Sequence, residues 1–189
     1  MEIFMKEGAE AIIKKHAVLS LSAGFIPIPV FDVVTVTALQ LDMLKQLASL
    51  YGVDFKNESG KAFISALTGG AIVRLGGSLI KSIPGVGSVL GGISVAAISG
   101  ATTYAVGEIA CKVFEKKADL ADVSIDKFKD LYEEAVRRGK EFIAEFSGGD
   151  SSEDVSLSDR LAQLEKAYKD NLLTEDEYKE YRAKILDQI

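Results

Sequence analysis

Apolar side chains along this chain recur at the three- and four-residue spacing of an α-helix, and no segment shows sustained two-residue alternation between turn residues. Prolines, glycines and capping residues divide the first 146 residues into five predicted helices. These helices cover about residues 4–24, 33–50, 57–82, a segment that ends near 117, and 125–146. The β-branched run at 33–36 is the one segment that also suits a strand. The pattern predicts an all-α helical bundle.

Several of these helices have recognisable ends. Asp32 is a favourable N-cap for the second helix, and Gly52 can end that helix in the left-handed conformation. Ser124 is expected to cap the fifth helix, which is strongly charged and carries a narrow apolar stripe on one side. That stripe consists of Phe128, Leu131, Tyr132, Ala135, Phe142 and Phe146.

The third and fourth predicted helices form a glycine-rich, apolar hairpin. The 46 residues between Lys61 and Glu108 contain ten glycines and only two charges, Arg74 and Lys81. A glycine inside a helix costs about 1 kcal/mol relative to alanine. So many of them indicate helices whose backbones approach each other closely. The glycines expected at these contacts are Gly69, Gly70, Gly76, Gly77, Gly87, Gly91, Gly92 and Gly100.

The hairpin suits either a membrane or a tightly packed soluble core. The uncharged residues 86–107 would form a helix about 33 Å long, compared with about 30 Å of bilayer hydrocarbon. Half of these residues, however, are Gly, Ser, Thr or Tyr, and Arg74 on the partner helix would be costly at the membrane centre. Arg74 would pair with an acidic residue, bind a lipid phosphate or lie on the outer face of a soluble helix. Spanning, partial insertion and a soluble core all stay open.

Charge divides the chain near residue 115. Residues 1–115 carry nine basic and nine acidic side chains, so residues 116–189 carry the whole net charge of −6. This balance provides no basic surface for DNA or RNA and argues against a nucleic-acid-binding protein. The composition indicates an apolar helical domain at 1–118, a charged amphipathic helix at 119–146, a linker at 147–156 and a helical hairpin at 157–189.

The sequence offers little material for catalysis. The one histidine, His16, is expected at the surface or at a helix end, and the one cysteine, Cys111, is expected to be a small buried residue. Neither a zinc cluster nor a histidine-paired nucleophile can be assembled from them. We therefore predict a protein that is not an enzyme and has no cofactor, metal site or small-molecule substrate.

The stretch around the two closely spaced prolines resembles the bacterial domain-of-unknown-function family 697, over about residues 5–115. The residues that carry the resemblance are Pro27, Pro29, Asp32, Gln40, Tyr51 and Gly52, with the glycine-rich hairpin after them. The resemblance implies a membrane-associated helical partner of a GTPase that is not an enzyme. We expect the protein at the cytoplasmic face of the bacterial inner membrane, or alternatively in the cytoplasm. Gln40 would either bridge helices or be exposed.

The last 33 residues resemble the short C-terminal module called SHOCT. Thr174 and Glu177 form a capping box, and Asn171 can adopt the left-handed conformation before it. Two such short helices bury little surface alone, so the module is expected to dock on itself, a second copy or a partner. The docking residues would be Leu161, Leu164, Tyr168, Tyr178 and Leu186. The resemblance implies a role in interaction or oligomerisation.

Together these features favour a non-catalytic, membrane-associated helical adaptor that contacts lipid and partners a GTPase or a second copy of itself. The alternative is a soluble, oligomeric helical scaffold in which the same hairpin forms a buried core.

Overall fold

The computed structural model describes residues 2–23, 29–78, 95–123, 125–147 and 157–186, and these form seven α-helices and no strand. Two short 3₁₀ segments, Leu120–Asp122 and Ile125–Phe128, join the fourth and fifth helices. The helices are α1 (Glu2–Ala23), α2 (Pro29–Tyr51), α3 (Asn57–Ser78), α4 (Val95–Phe114), α5 (Lys129–Phe146), α6 (Leu157–Lys169) and α7 (Glu175–Leu186). The predicted all-α fold is confirmed.

Helix α2 begins four residues earlier than the sequence pattern indicated. Its first residue is Pro29, so Asp32 lies inside the helix and its predicted role as the N-cap is wrong. Proline suits this position because the first turn of a helix does not use its backbone N–H groups, and the ring already holds a helical φ. The β-branched run at 33–36 is helical as well.

The other end of α2 follows the prediction. Gly52 has a φ of 64°, and the N–H of Val53 donates to the carbonyl of Ala48 at 2.8 Å. This is the Schellman ending, in which a left-handed residue lets the chain turn back over the last helical carbonyls. Lys117 adopts the same conformation after α4, with a φ of 55°, and its ammonium donates to the carbonyl of Tyr51.

Helix α1 lies at the centre of the five-helix body, by which we mean α1 to α5. All seven residues from His16 to Ser22 are buried. A helix can bury seven consecutive residues only when neighbours surround it, because these positions cover every direction around its axis. Within the described ranges, the helices in most extensive contact with α1 are α2, α4, α5 and α6.

Helices α4 and α5 approach closely at two glycines. A Cβ at Gly139 would lie 2.6 Å from the carbonyl oxygen of Ala101, and a Cβ at Gly100 would lie 2.7 Å from Cδ1 of Ile143 and 2.9 Å from the carbonyl oxygen of Ala17. These distances are too short for a side chain at either position. The absence of a Cβ therefore allows α4 to pack against both α5 and α1.

The apolar stripe of α5 differs from the predicted one. The helix begins at Lys129 after a 3₁₀ turn, and the predicted cap Ser124 lies outside the described residues. Leu131, predicted to be in the stripe, is 37% exposed. Of the other predicted residues, Tyr132, Ala135 and Phe146 are buried, and Phe128 and Phe142 are half-buried. Val136, Gly139 and Ile143 are buried as well, so the buried face of α5 is wider than the predicted stripe and leaves Leu131 at its exposed edge.

The C-terminal pair, by which we mean α6 and α7, is a tight helical hairpin. Asn171 has a φ of 57°, and the N–H of Leu172 donates to the carbonyl of Ala167 at 3.0 Å. The N–H of Thr174 donates to the Glu177 carboxylate at 2.9 Å, and the N–H of Glu177 donates to the Thr174 hydroxyl at 3.3 Å. The predicted left-handed residue and capping box are confirmed.

Part of the predicted glycine-rich hairpin lies outside the described residues. This applies to its turn and to Gly87, Gly91 and Gly92, and also to Pro27 before α2. Gly69, Gly70, Arg74, Gly76 and Gly77 lie on α3, where the structure describes side-chain surroundings only as far as Thr68. Within the described ranges, no helix combines the length and the apolar character that crossing a membrane requires.

Candidate functional site

A chain of buried hydrogen bonds joins three helices of the five-helix body. Gln40 of α2 donates from Nε2 to the hydroxyl of Thr103 on α4 at 3.0 Å, and that hydroxyl donates to the hydroxyl of Ser20 on α1 at 2.9 Å. All three side chains are buried. Of the two alternatives for Gln40, exposure or a bridge between helices, the structure has the bridge. An unpaired polar group at this depth would be costly, so these bonds fix how the three helices align.

His16 forms a second polar contact between α1 and α2. Its ring is 1% exposed, with Nδ1 2.8 Å from the carbonyl oxygen of Ile12 and Nε2 3.0 Å from Oδ2 of Asp42. Since both partners are acceptors, only the doubly protonated ring can donate to both. The prediction that His16 lies at the surface or at a helix end is wrong. The carboxylate of Asp42 is 57% exposed, so this contact joins a buried ring to a solvated carboxylate.

A cleft of about 450 Å³ opens between α1, α4 and α5, beside the end of α2. Three acidic and three basic side chains line it, so the cleft has no net charge. The acidic residues are Glu10, Glu108 and Glu115, the basic ones are Lys6, Lys112 and Arg138, and the rest are Ala9, Ile13, Tyr51, Tyr104 and Cys111.

Arg138 is the most highly coordinated charge in this cleft. Its Nε lies 3.2 Å from both carboxylate oxygens of Glu108, and Nη1 donates to Glu134 at 2.6 Å. The hydrogen bond with Glu108 is the main reason why the pKa of Arg138 lies above its usual value. The guanidinium therefore ties α5 to α4, and its charge is already matched within the protein.

Cys111 lies in the same cleft but is not an activated nucleophile. Burial raises the pKa of its thiol to about 12, although a hydrogen bond with Tyr51 acts in the opposite direction. Burial also raises the pKa of the Tyr51 hydroxyl. Because the thiolate is the reactive form of cysteine, the protonated thiol is unreactive near neutral pH.

The cleft has no metal-ligand cluster within it, and the same holds for the rest of the described chain, where no group of three or more His, Cys, Asp or Glu side chains could hold a metal ion. The Gln40–Thr103–Ser20 chain and the Arg138–Glu108 pair instead form hydrogen bonds between helices. These contacts hold the helices in position, and the cleft beside them is open and has equal numbers of acidic and basic side chains.

The five residues of the C-terminal pair that were predicted to dock a partner differ from one another in how far they are buried. Leu164 is fully buried in a cluster that includes Val18 and Leu21 of the same chain, so that side chain is not available to another molecule in this arrangement. Tyr168 is 37% exposed and its ring stacks on Tyr178 at a centroid distance of 4.9 Å. Leu161 and Leu186 are half-buried.

Comparison with known proteins places this five-helix arrangement in a family. The sequence matches the family described as Domain of unknown function (DUF697) over residues 2–141. The chain belongs to the DUF697 family. The match extends beyond the resemblance over residues 5–115 and takes in most of α5, which the structure also packs against α4 and α1.

One relative is Magnetosome membrane protein 22 of Magnetospirillum gryphiswaldense, which is 36% identical over 141 residues. The aligned part makes up 72% of this chain and 72% of that protein. No solved structure matches the chain. The DUF697 match ends before α6, so the C-terminal pair lies outside the part that defines the family.

Several residues of these contacts were not singled out from the sequence. They are Ser20, Thr103 and Gly139. Ser20 and Thr103 stand in uncharged stretches, which is a weak signal of a buried polar contact. Nothing in the local sequence indicates that Gly139, inside a charged helix, lies against the backbone of α4.

Proposed function

We propose that this DUF697 chain is a non-catalytic, membrane-associated helical adaptor at the cytoplasmic face of a bacterial inner membrane. The observation that carries the proposal is the relative named as a magnetosome membrane protein, which is 36% identical over 141 residues. The aligned share is the same in both chains, so the likeness concerns most of the relative and not a small shared segment.

The geometry of the five-helix body supports an adaptor over an enzyme. In the described part of the cleft, the guanidinium of Arg138 is paired with the carboxylates of Glu108 and Glu134. Burial keeps the thiol of Cys111 protonated near neutral pH. General acid–base or nucleophilic catalysis needs a group that is free to exchange a proton or attack a substrate. The polar groups here hold helices in place instead.

Membrane association can be tested by fractionating the bacterium that produces the protein. We expect the full chain in the membrane pellet after a low-salt wash, and extraction with alkaline carbonate distinguishes a peripheral protein from an inserted one. A cytoplasmic protein of similar size, followed in the same fractions, is the control. Recovery of the whole chain in the soluble fraction would contradict the proposal and would favour the soluble scaffold, whose oligomeric mass light scattering then measures.

We further propose that the adaptor's protein partner is a GTPase, as the family resemblance implies. The exposed face of α5 offers a polar surface for such a contact, since Glu133, Arg137 and Glu141 are all solvent-exposed. Crosslinking in cells followed by mass spectrometry tests this idea. We expect peptides of a GTPase among those joined to α5, and crosslinks to copies of the same chain alone would replace the GTPase with self-association.

A further inference from the structure

The C-terminal pair covers one side of α1. Helices α2, α4 and α5 contact α1 within the five-helix body, and α6 contacts it from outside that body. Without the C-terminal pair, α1 would lose its contacts with α6 and the contact of Lys15 with Glu177 of α7. We call the part of α1 between residues 15 and 22 that the C-terminal pair covers the covered face.

The apolar contact at the covered face is small. The C-terminal pair and its turn contribute four buried side chains to a cluster that also contains residues of α1, α2, α4 and α5. Those of the pair and its turn are Leu164, Ala167, Leu173 and Ile185, and those of α1 are Ala17, Val18, Leu19 and Leu21. Because these four residues of α1 spread over more than half a helical turn, only some of them can face the pair. The apolar area that holds the pair against α1 is therefore modest compared with the core of the five-helix body.

Two lysines border this apolar contact. Lys15 of α1 donates to the Glu177 carboxylate of α7 at 2.9 Å, and both side chains are partly buried. Lys166 of α6 lies 4.4 Å above the Phe146 ring at the end of α5, and it would leave with the C-terminal pair, so Lys15 is the one of these two lysines that stays beside the covered face. Removal of the C-terminal pair would leave the ammonium group of Lys15 without its carboxylate partner, next to a newly exposed apolar surface.

The C-terminal pair is also built as a separate unit. Its turn is fixed by its own Schellman ending at Asn171 and by the capping box of Thr174 and Glu177. It lies beyond the residues 2–141 that match DUF697, whereas α1 lies within them. The covered face therefore belongs to the family domain, and its cover is an addition to that domain.

We propose that the C-terminal pair is a detachable cover and that the covered face, when released, binds an anionic lipid surface. This inference rests on the proposed membrane association and specifies its regulation. An apolar helix face bordered by lysine is the combination that binds the interface of an anionic bilayer, because the apolar side chains enter the headgroup region while the ammonium groups contact lipid phosphates. Lys15 would exchange the Glu177 carboxylate for such a phosphate.

The test is a vesicle co-sedimentation assay on the full chain and on variants that loosen the cover. Leu164→Asp places a charge in the apolar contact, and Glu177→Gln removes the ion pair with Lys15 while keeping an oxygen for the capping box. Ala162→Asp is the matched control, since it adds the same charge to an exposed position of α6. The vesicles are phosphatidylcholine alone, or phosphatidylcholine and phosphatidylglycerol in equal parts.

If the cover is closed most of the time, the apparent affinity of the wild type for vesicles equals the affinity of the open form multiplied by the fraction of molecules that are open. We expect Leu164→Asp to bind the anionic vesicles roughly tenfold or more tightly than the wild type, because loosening the cover raises that fraction. Glu177→Gln should give a smaller gain in the same direction. Ala162→Asp should match the wild type, and neutral vesicles should bind every variant weakly.

Equal binding of the wild type and the three variants to anionic vesicles would overturn the proposal that the C-terminal pair is a cover. It would not contradict the proposed membrane association. A gain in particle mass for the loosened variants, without a gain in vesicle binding, would show that a second copy occupies the released face and would overturn the lipid proposal. If Leu164→Asp loses helical circular dichroism throughout, Glu177→Gln decides the question alone. Failure of the wild type to reach the membrane in cells counts against the proposed function instead.

Discussion

Helices α1 to α5 meet over wide apolar surfaces with glycines at the closest approaches, whereas α6 and α7 are defined mainly by contacts within their own hairpin. In the five-helix body, Gly139 lies against the backbone of α4, and Gln40 donates a hydrogen bond to Thr103, which is 63 residues away in sequence. In the C-terminal pair, the capping box and the left-handed turn involve residues at most five positions apart. The first region depends on distant contacts, and the second carries its own shape and adds a small docking surface.

The largest expected difference between the two regions comes from truncating a buried side chain in each. Phe114→Ala should lower the free energy of unfolding of the five-helix body by about 3–5 kcal/mol, because Phe114 is fully buried between helices. Leu164→Ala should instead release the C-terminal pair while α1 to α5 keep their stability. Urea unfolding measures the first effect, and hydrogen exchange resolved by helix measures the second. Equal loss of protection in α1 to α5 for Leu164→Ala would show that the two regions unfold as one unit.

Substitutions at two separate glycines test whether the helices of the five-helix body depend on close backbone approach. Gly139→Ala should destabilise the protein by about 1–3 kcal/mol, because the added Cβ meets backbone atoms of Ala101 that have to shift. Gly8→Ala is the matched control, since its Cβ would lie 3.4 Å from the side chain of Leu50 in ordinary contact. This second substitution should be neutral or stabilise the protein by up to about 1 kcal/mol. If thermal unfolding shows that both substitutions change the stability in the same direction, the close approach of α4 and α5 at Gly139 would be contradicted.

The buried hydrogen-bond chain supplies a double-mutant test of the same region. Thr103→Val keeps the size of the side chain but removes the hydroxyl between Gln40 and Ser20, and should cost about 1–3 kcal/mol. Thr103→Ser keeps the hydroxyl and is the control. Adding Gln40→Met to Thr103→Val should cost less than the sum of the two single changes, as expected for residues in direct contact. Strict additivity in urea unfolding would argue against the bond.

The smallest expected effect concerns the local contacts of the C-terminal pair. Thr174→Ala removes the capping hydroxyl and should cost about 1 kcal/mol, because the first turn of α7 loses an acceptor for a backbone N–H. Thr174→Ser should retain most of the stability. Hydrogen exchange should report the loss in α7 alone, and a comparable loss of protection in α1 would mean that the pair and the body are more tightly coupled than their contacts indicate.

Several features of this protein could be predicted from the sequence because they depend on neighbouring residues. The all-α class follows from the spacing of apolar positions, and the turns at Gly52 and Asn171 follow from the few residue types that tolerate a positive φ. The capping box of Thr174 and Glu177 is likewise a pattern four residues long. In each case the interaction that fixes the structure lies within one or two helical turns of the residue that signals it.

Other features were decided by the tertiary structure. His16 is buried only because four helices surround α1, and Asp42, its acidic partner, lies 26 residues away. Gly139 and Thr103 matter through atoms that are distant in sequence. Local sequence determined where helices form and how they end, because those energies arise from neighbouring residues. Which side chains are buried, and which polar groups meet, depended on how the helices pack.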